Sequence, residues 1–119
     1  MLRIKYCETC NIYRPPRTSH CHICDYCIEK FDHHCPWLGV CIGKKNYFIF
    51  MLYCAFTGTH LISGLIGCII GIVKIMEDSL GAFEGIRIFF YFLLGILCLG
   101  FGGFVWVLFG YHIFLIGTN

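Results

Sequence analysis

Two long runs without a charged side chain dominate the pattern of polar and apolar positions along the chain. The first begins at Asn46 and covers 28 residues, and the second begins at Ile88 and covers 32. Because about 20 apolar residues allow an α-helix to cross a bilayer, each run is long enough to span a membrane. The pattern predicts transmembrane helices over residues 46–73 and 88–110, with a short end over residues 111–119.

The residues outside these runs have a different character. Residues 74–87 hold five charged residues and two glycines, a composition typical of a short connection between antiparallel spans. Residues 1–45 contain all three prolines and lack a sustained apolar repeat with a period of about 3.6 or 2 residues. We therefore expect short turns and β-ribbons in this segment instead of helices. No internal repeat stands out.

Small residues recur along the first apolar run. Ser63, Gly67 and Gly71 are spaced four residues apart, which is a pattern typical of close helix packing in membranes. The three cysteines of the two runs have no partner at metal-ligand spacing, so we expect them to be small apolar residues of the helices.

Composition and charge indicate a membrane protein with a polar N-terminal third. Hydrophobic residues occupy 58% of the 119 positions and charged residues only 13%, which is far from the composition of a soluble domain. Seven of the nine Lys and Arg residues precede residue 46, although the net charge is only +2. The positive-inside rule therefore predicts that residues 1–45 face the cytosol and residues 74–87 the lumen. Nothing in this distribution indicates a nucleic-acid partner.

Cysteine and histidine are concentrated in the same N-terminal third. Seven of the ten cysteines and four of the six histidines lie there, and no secretory signal precedes them. In the reducing cytosol, such a density favours metal binding over disulfides. Three Cys-x-x-Cys pairs are typical of zinc sites, namely Cys7 with Cys10, Cys21 with Cys24, and Cys24 with Cys27.

The number of possible ligands exceeds what two zinc ions need. Two tetrahedral zinc ions take eight ligands, whereas the segment offers eleven, and spacing alone does not identify the three that remain. A zinc ion with four protein ligands has no open coordination position, so any catalysis has to come from the remaining residues.

One short stretch could supply that catalysis. The run from Asp32 through His33 and His34 to Cys35 contains an acid, an imidazole and a thiol within four positions. Such groups can form a nucleophile, its base and a carboxylate that orients the base. The alternative is that these residues are all part of the metal sites.

The complete spacing of these residues resembles that of one known family. The pattern Cys7-x2-Cys10-x9-His20-Cys21-x2-Cys24-x2-Cys27-x4-Asp32-His33-His34-Cys35-x5-Cys41-x4-Asn46-x3-Phe50 closely resembles the cysteine-rich domain of DHHC-type protein S-acyltransferases, or palmitoyltransferases. The two apolar runs resemble the third and fourth helices of the family's four-helix fold. The implied fold is a small zinc-bound cysteine-rich domain of turns and ribbons, followed by two antiparallel transmembrane α-helices.

The resemblance also implies roles for individual residues. It implies two structural zinc ions in Cys3His sites, with the ligands Cys7, Cys10, His20 and Cys27 in one site and Cys21, Cys24, His34 and Cys41 in the other. Cys35 would then be the nucleophile and His33 its general base and later acid. Asp32 would orient and polarise the imidazole of His33.

The activity implied is protein S-acylation at a membrane. Long-chain acyl-CoA, such as palmitoyl-CoA, would donate an acyl group to Cys35, which would pass it to cytosolic cysteines of membrane-associated proteins. The protein would be a multi-pass membrane protein of the Golgi or endoplasmic reticulum, with its active site facing the cytosol. Two other hypotheses remain: an inactive, membrane-anchored zinc module that binds proteins, and a ubiquitin-ligase cross-brace, whose ligand order fits less well.

The sequence departs from the family pattern in three places. Val40 stands where the family commonly has Asn before the last zinc cysteine. The two helices that precede the cysteine-rich domain in the family are absent, and the chain stops before the family's Thr-Thr-x-Glu motif. These departures lead us to expect a fragment of a longer protein.

Overall fold

The computed structural model describes residues 4–77, 81 and 83–118, which form two compact units. The first unit is Met1–Phe50 and the second is Met51–Asn119. The first contains six short strands: β1 Tyr6–Cys7, β2 Ile12–Tyr13, β3 Ser19–Cys21, β4 Tyr26–Ile28, β5 His33–Cys35 and β6 Val40–Ile42. Two long helices follow, α1 Tyr47–Glu77 and α2 Glu84–Thr118. The fold class predicted from the sequence is therefore confirmed.

The strands form three antiparallel hairpins, β1–β2, β3–β4 and β5–β6, each a separate two-stranded sheet. The hairpins recur at intervals of 14 residues, so that Cys7, Cys21 and Cys35 occupy the same position in each. Each of these cysteines pairs with the residue five positions later across its ladder. The expectation that the chain has no internal repeat was therefore wrong.

A left-handed backbone conformation closes each hairpin. The residue directly before the second strand has a positive φ in all three cases: 53° at Asn11, 56° at Asp25 and 65° at Gly39. Asn, Asp and Gly are the residues that adopt this conformation most readily. The repeat is thus a repeat of backbone geometry as well as of cysteine spacing.

The core of the first unit consists largely of sulfur. Its buried apolar residues are Cys7, Cys21, Cys35, Cys41, Ile42 and Phe50. Strands of two or three residues with so little buried hydrocarbon do not form a stable domain by hydrophobic packing. The described residues of this unit therefore need another source of stability.

Asn46 connects the last strand to the first helix. Its Nδ2 donates a hydrogen bond to the backbone oxygen of Cys41, and the N–H of Gly43 donates to its Oδ1, both at 2.9 Å. One turn further, the ring of Phe50 contacts the His33 ring edge to face at 5.3 Å. These contacts hold the first turn of α1 against β5 and β6.

Both helices are long and apolar enough to cross a membrane. Their most apolar windows have mean hydropathies of 1.9 and 2.4, and only 11% and 17% of these windows are buried within the chain. Soluble proteins rarely expose so large an apolar surface, whereas a bilayer requires it. The chain thus contains two candidate membrane spans.

The helices extend beyond the charge-free runs. α1 continues to Glu77, and α2 begins at Glu84 and continues to Thr118, past the predicted end at residue 110. At the start of α2, Arg87 Nη1 lies 2.9 Å from Glu84 Oε2, an i,i+3 ion pair that favours helix. Charge-free length marks the apolar part of a helix, and charged residues can continue it. Residues 78–80 and 82 of the predicted connection, and residue 119, lie outside the described residues.

Small residues allow α1 and α2 to pack closely. A Cβ added at Gly58 would meet Trp106, one at Gly64 would meet the sulfur of Cys98, and one at Gly71 would meet the Tyr91 ring. Residues later in α1 thus meet residues earlier in α2, so the two helices run antiparallel. The buried cysteines Cys54, Cys68 and Cys98 lie within the helices as small apolar residues, as the sequence predicted.

The predicted packing pattern on α1 was partly wrong. Gly71 does contact α2, but Ser63 is exposed, and a Cβ at Gly67 would meet nothing within 4 Å. The contact face instead follows the spacing of Gly58, Gly64 and Gly71, which combines steps of three and four residues as an α-helix requires.

Replacing Gly58 with Ala is expected to destabilise the packing of α1 on α2, whereas Gly67→Ala is not. The new Cβ at Gly58 would lie 2.8 Å from Nε1 of Trp106. Overpacking costs about 1–3 kcal/mol, while an unhindered Gly→Ala change in a helix gains up to about 1 kcal/mol. Thermal unfolding of both variants in detergent, followed by circular dichroism, measures the difference. Equal midpoints for the two variants would contradict this packing.

Candidate functional site

The first cluster of metal-ligand side chains joins the β1–β2 and β3–β4 hairpins. Its members are Cys7, Cys10, His20 and Cys27. His20 and Cys27 lie directly opposite each other in the β3–β4 ladder. Nδ1 of His20 lies 3.6 Å from the sulfur of Cys7, 3.4 Å from that of Cys10 and 3.9 Å from that of Cys27.

The second cluster joins the β3–β4 and β5–β6 hairpins in the same way. Its members are Cys21, Cys24, His34 and Cys41. His34 and Cys41 lie directly opposite each other in the β5–β6 ladder. Nδ1 of His34 lies 3.8 Å from the sulfur of Cys21 and 3.4 Å from those of Cys24 and Cys41.

The dimensions of both clusters fit a tetrahedral zinc ion. With zinc bonds of about 2.3 Å to sulfur and about 2.05 Å to nitrogen, the edges of a Cys3His tetrahedron are about 3.6 Å from sulfur to nitrogen. The observed sulfur–nitrogen distances, from 3.4 to 3.9 Å, lie around this value. Each cluster could therefore hold one zinc ion with four protein ligands.

The cysteine pKa values differ within each cluster. A backbone N–H from the following turn donates to the first cysteine and lowers the pKa of Cys7 and of Cys21. Burial, together with hydrogen bonds that the thiols of Cys27 and Cys41 donate to neighbouring cysteine sulfurs, raises the pKa of both to about 12. Because thiolates repel one another, all three thiols of one cluster ionise together only when a cation lies among them.

Strand alternation explains how the ligands divide between the two clusters. His20 and Cys21 are neighbours on β3, so their side chains point to opposite faces of the β3–β4 hairpin. His20 joins the first cluster and Cys21 the second. The middle hairpin therefore contributes to both clusters, and the two sets of four match those that the family resemblance implied.

The same alternation separates the two adjacent histidines of β5. His34 points toward the second cluster, while His33 and Cys35 share the opposite face of the strand. Nδ1 of His33 lies 2.7 Å from Oδ2 of Asp32, and the side chains are 36% and 28% exposed. Cys35 is buried, at 6% exposure.

The residues outside both clusters therefore have distinct surroundings. The carboxylate of Asp32 contacts the imidazole of His33 at the start of β5, and Cys35 lies two residues further on the same face of the strand as the imidazole. His22 is exposed and contacts the His20 ring at 5.3 Å. Val40, the departure from the family pattern, pairs with Cys35 and is exposed.

Two features of this site were not predicted from the sequence. Gly39 adopts a φ of 65° in the turn after Cys35, and Leu38 precedes it at the position where the other two hairpins have a cysteine. The signal that could have found both is the 14-residue spacing of the three turns.

Known proteins match this chain over the hairpins and over both helices. A family model described as DHHC palmitoyltransferase matches residues 2–119. The chain is 37% identical to "Palmitoyltransferase ZDHHC18-A" of Danio rerio, with 100% of this chain and 26% of that protein covered. It is also 37% identical to "Palmitoyltransferase ZDHHC9" of Homo sapiens, again over 100% of this chain and over 33% of that protein.

Another relative matches a shorter part of the chain at a higher identity. "Probable protein S-acyltransferase 7" of Arabidopsis thaliana is 51% identical over 65% of this chain, which corresponds to 17% of that protein. The chain thus spans no more than a third of the length of these three curated relatives. The first two similarities include both the hairpins and the two helices.

Proposed function

Because the chain belongs to the DHHC palmitoyltransferase family, we propose that it is a protein S-acyltransferase that forms an acyl-Cys35 thioester. The observation that carries this proposal is the arrangement on β5. Cys35 and His33 share one strand face, apart from both metal-ligand clusters, and Oδ2 of Asp32 lies 2.7 Å from Nδ1 of the imidazole. A non-enzymatic metal module would not need these three groups.

Zinc has a structural role in this proposal. One ion is held by Cys7, Cys10, His20 and Cys27, and the other by Cys21, Cys24, His34 and Cys41. The fit of both clusters to tetrahedral Cys3His coordination supports zinc as the metal. With four protein ligands, neither ion would have a position open for substrate, so zinc would supply the scaffold on which β5 is held.

The first half-reaction loads the enzyme. His33 takes the thiol proton of Cys35, and the thiolate attacks the carbonyl carbon of the long-chain acyl-CoA thioester. A new bond joins that carbon to the sulfur of Cys35, and the bond to the CoA sulfur breaks. The proton on His33 passes to the departing CoA thiolate. Asp32 accepts a hydrogen bond from the Nδ1–H of His33 and stabilises the imidazolium while His33 carries the transferred proton.

The second half-reaction transfers the acyl group to a protein. His33 takes a proton from a cysteine thiol of the target, whose thiolate attacks the acyl-Cys35 carbonyl. The bond to Cys35 breaks, and the departing Cys35 thiolate recovers the proton from His33. The targets we propose are membrane-associated proteins with cysteines exposed to the cytosol.

The family consists of membrane proteins, and the two apolar helices fit membrane spans. We propose a cytosolic metal domain over residues 1–45, spans over residues 46–73 and 88–110, a luminal connection over 74–87 and a cytosolic end over 111–119. The excess of Lys and Arg before residue 46 supports this orientation. The compartment proposed is the Golgi or endoplasmic reticulum.

Incubation of the detergent-solubilised protein with labelled palmitoyl-CoA tests this function. We expect a hydroxylamine-labile label on the wild type and none on Cys35→Ser, because the serine hydroxyl is a far weaker nucleophile than the thiolate. Cys54→Ser is the matched control, since Cys54 is a buried cysteine of α1 outside both clusters. It should take up label as the wild type does.

Zinc content and labelling together distinguish an acyltransferase from a zinc module that binds proteins. If wild type and Cys35→Ser both hold two zinc ions and neither takes up label, the protein is a membrane-anchored zinc module that binds proteins. If Cys35→Ser takes up as much label as the wild type, Cys35 is not the nucleophile.

A further inference from the structure

The third hairpin has the backbone of the two metal-ligand hairpins. The N–H of Gly39 donates to the backbone oxygen of Cys35 at 2.9 Å, as the N–H of Asp25 donates to the backbone oxygen of Cys21 at 2.8 Å. The left-handed residue follows four positions after the cysteine in both hairpins. The ladder pair of Cys35 with Val40 likewise repeats that of its counterpart in the second hairpin.

The side chains of the three turns differ at one decisive position. Three residues after the first cysteine, the first hairpin has Cys10 and the second has Cys24, and each belongs to a metal-ligand cluster. The third hairpin has Leu38 at this position. It therefore presents a single thiol on a turn of the type that elsewhere in the chain presents two.

We propose that the third hairpin is a zinc knuckle whose second thiol is replaced, so that Leu38 keeps Cys35 out of metal coordination and Gly39 positions it for acyl transfer. This inference rests on the proposed function of Cys35 as the nucleophile. Both residues act through Cys35. Leu38 determines whether Cys35 binds a metal or reacts with the acyl donor, and Gly39 is a positioning residue.

The chemical reason for a single thiol is the competition between metal and acyl donor. Two thiolates on one such turn form a chelate, as the Cys-x-x-Cys pairs of zinc sites do. A thiolate that donates its electron pair to a metal is less available for attack on a thioester carbonyl. In the third hairpin the imidazole of His33 lies on the same strand face as Cys35 and would add a third donor. Loss of the second thiol thus leaves Cys35 available to the acyl group.

The conformational reason for Gly39 is its backbone. Its φ is 65°, yet a Cβ added there would meet nothing within 4 Å, so a side chain would strain the backbone without any collision. Gly39→Val puts a β-branched residue into a conformation it strongly disfavours, whereas Gly39→Asn places there the residue that the first hairpin has at Asn11.

Variants at Leu38 test the metal part of the inference without any acyl donor. Each protein is kept reduced and titrated with Cd2+ after its zinc content is measured. We expect Leu38→Cys to bind one more metal ion than Leu38→Ala, and that ion to protect Cys35 from alkylation by iodoacetamide. Leu38→Ala is the matched control because it removes the same side chain without adding a thiol. Equal metal stoichiometry for the two variants would overturn the role assigned to Leu38.

Variants at Gly39 test the positioning part. We expect Gly39→Val to lower the rate of Cys35 acylation by about 10-fold, as an unfavourable left-handed residue implies, and Gly39→Asn to restore it to within about 2-fold of the wild type. Zinc content should be unchanged in both. Equal rates for the two variants would overturn the role of Gly39, whereas absence of label on the wild type would count against the proposed function and leave the Leu38 result standing.

Discussion

Removal of zinc is expected to unfold residues 4–46 while α1 and α2 remain helical. The hairpins have strands of only two or three residues, and four of the six buried apolar residues of their unit are cysteines. Binding of zinc to small Cys/His domains contributes about 10–16 kcal/mol, which is as large as the whole stability of a typical domain. Once the metal leaves, its bonds to the four ligands of each cluster are lost, and the small core buries too little hydrocarbon to keep the hairpins folded.

Limited proteolysis and circular dichroism in detergent measure the two units separately. After treatment with a strong zinc chelator, cleavage should appear within residues 4–46, and the helical signal should change little. The helices provide the internal control, because their hydrogen bonds do not depend on metal and detergent covers their apolar surface. Persistent protection of the hairpins after complete zinc removal would contradict a structural role for the metal.

Replacing His33 with Gln is expected to lower the rate of acyl transfer by about 10²–10⁴-fold, the usual contribution of a general base, with both zinc ions retained. His34→Gln should have the opposite pattern, with loss of zinc and of the folded hairpins. The reason is the alternation of β5, which directs His34 to three thiols and His33 to the face of Cys35.

The comparison of these neighbours is informative because the two substitutions are chemically identical. Zinc per protein, resistance to proteolysis and single-turnover labelling from palmitoyl-CoA are measured for both variants. Asp32→Asn should lie between the wild type and His33→Gln in rate, since the amide still contacts Nδ1 but no longer stabilises a positive imidazole. If His33→Gln lost zinc, or labelled at the wild-type rate, His33 would not be the base.

The sequence predicted the broad fold because its signals are local. Charge-free length predicts a helix that can cross a membrane, and the density of prolines and cysteines before residue 46 predicts turns stabilised by metal. Where the helices end was less predictable. The ion pair of Glu84 with Arg87 extends α2 at its start, and a run of apolar residues gives no information about such pairs.

The division of ligands needed information that spacing does not contain. Whether His33 or His34 reaches the thiols depends on the register of β5 with β6, where His34 lies opposite Cys41. A shift of one residue would exchange the two histidines. The family resemblance implied the arrangement that the structure has, but the residues alone left eleven candidates for eight positions.

The packing of α1 on α2 was predicted with the wrong periodicity. A strict four-residue spacing selected Ser63, which is exposed, and Gly67, where an added Cβ would meet nothing within 4 Å. Added Cβ atoms at Gly58 and Gly64 would instead meet side chains of α2. Because an α-helix has about 3.6 residues per turn, a stripe of steps of four alone drifts around the helix axis. The large side chains of α2, such as Trp106, determine which glycines of α1 lie in the helix contact. These side chains are too distant along the chain for a local pattern to reveal them.

The middle hairpin, β3–β4, has a consequence for how the protein responds to scarcity of zinc. It contributes two residues to each metal-ligand cluster, so departure of either ion loosens half of the other ion's ligands. We therefore expect metal binding at the two clusters to be thermodynamically linked, so that each ion would raise the affinity for the other. In a zinc-poor cell the population would divide into fully loaded and fully empty chains, so the number of folded molecules would fall while those that remain stay fully loaded.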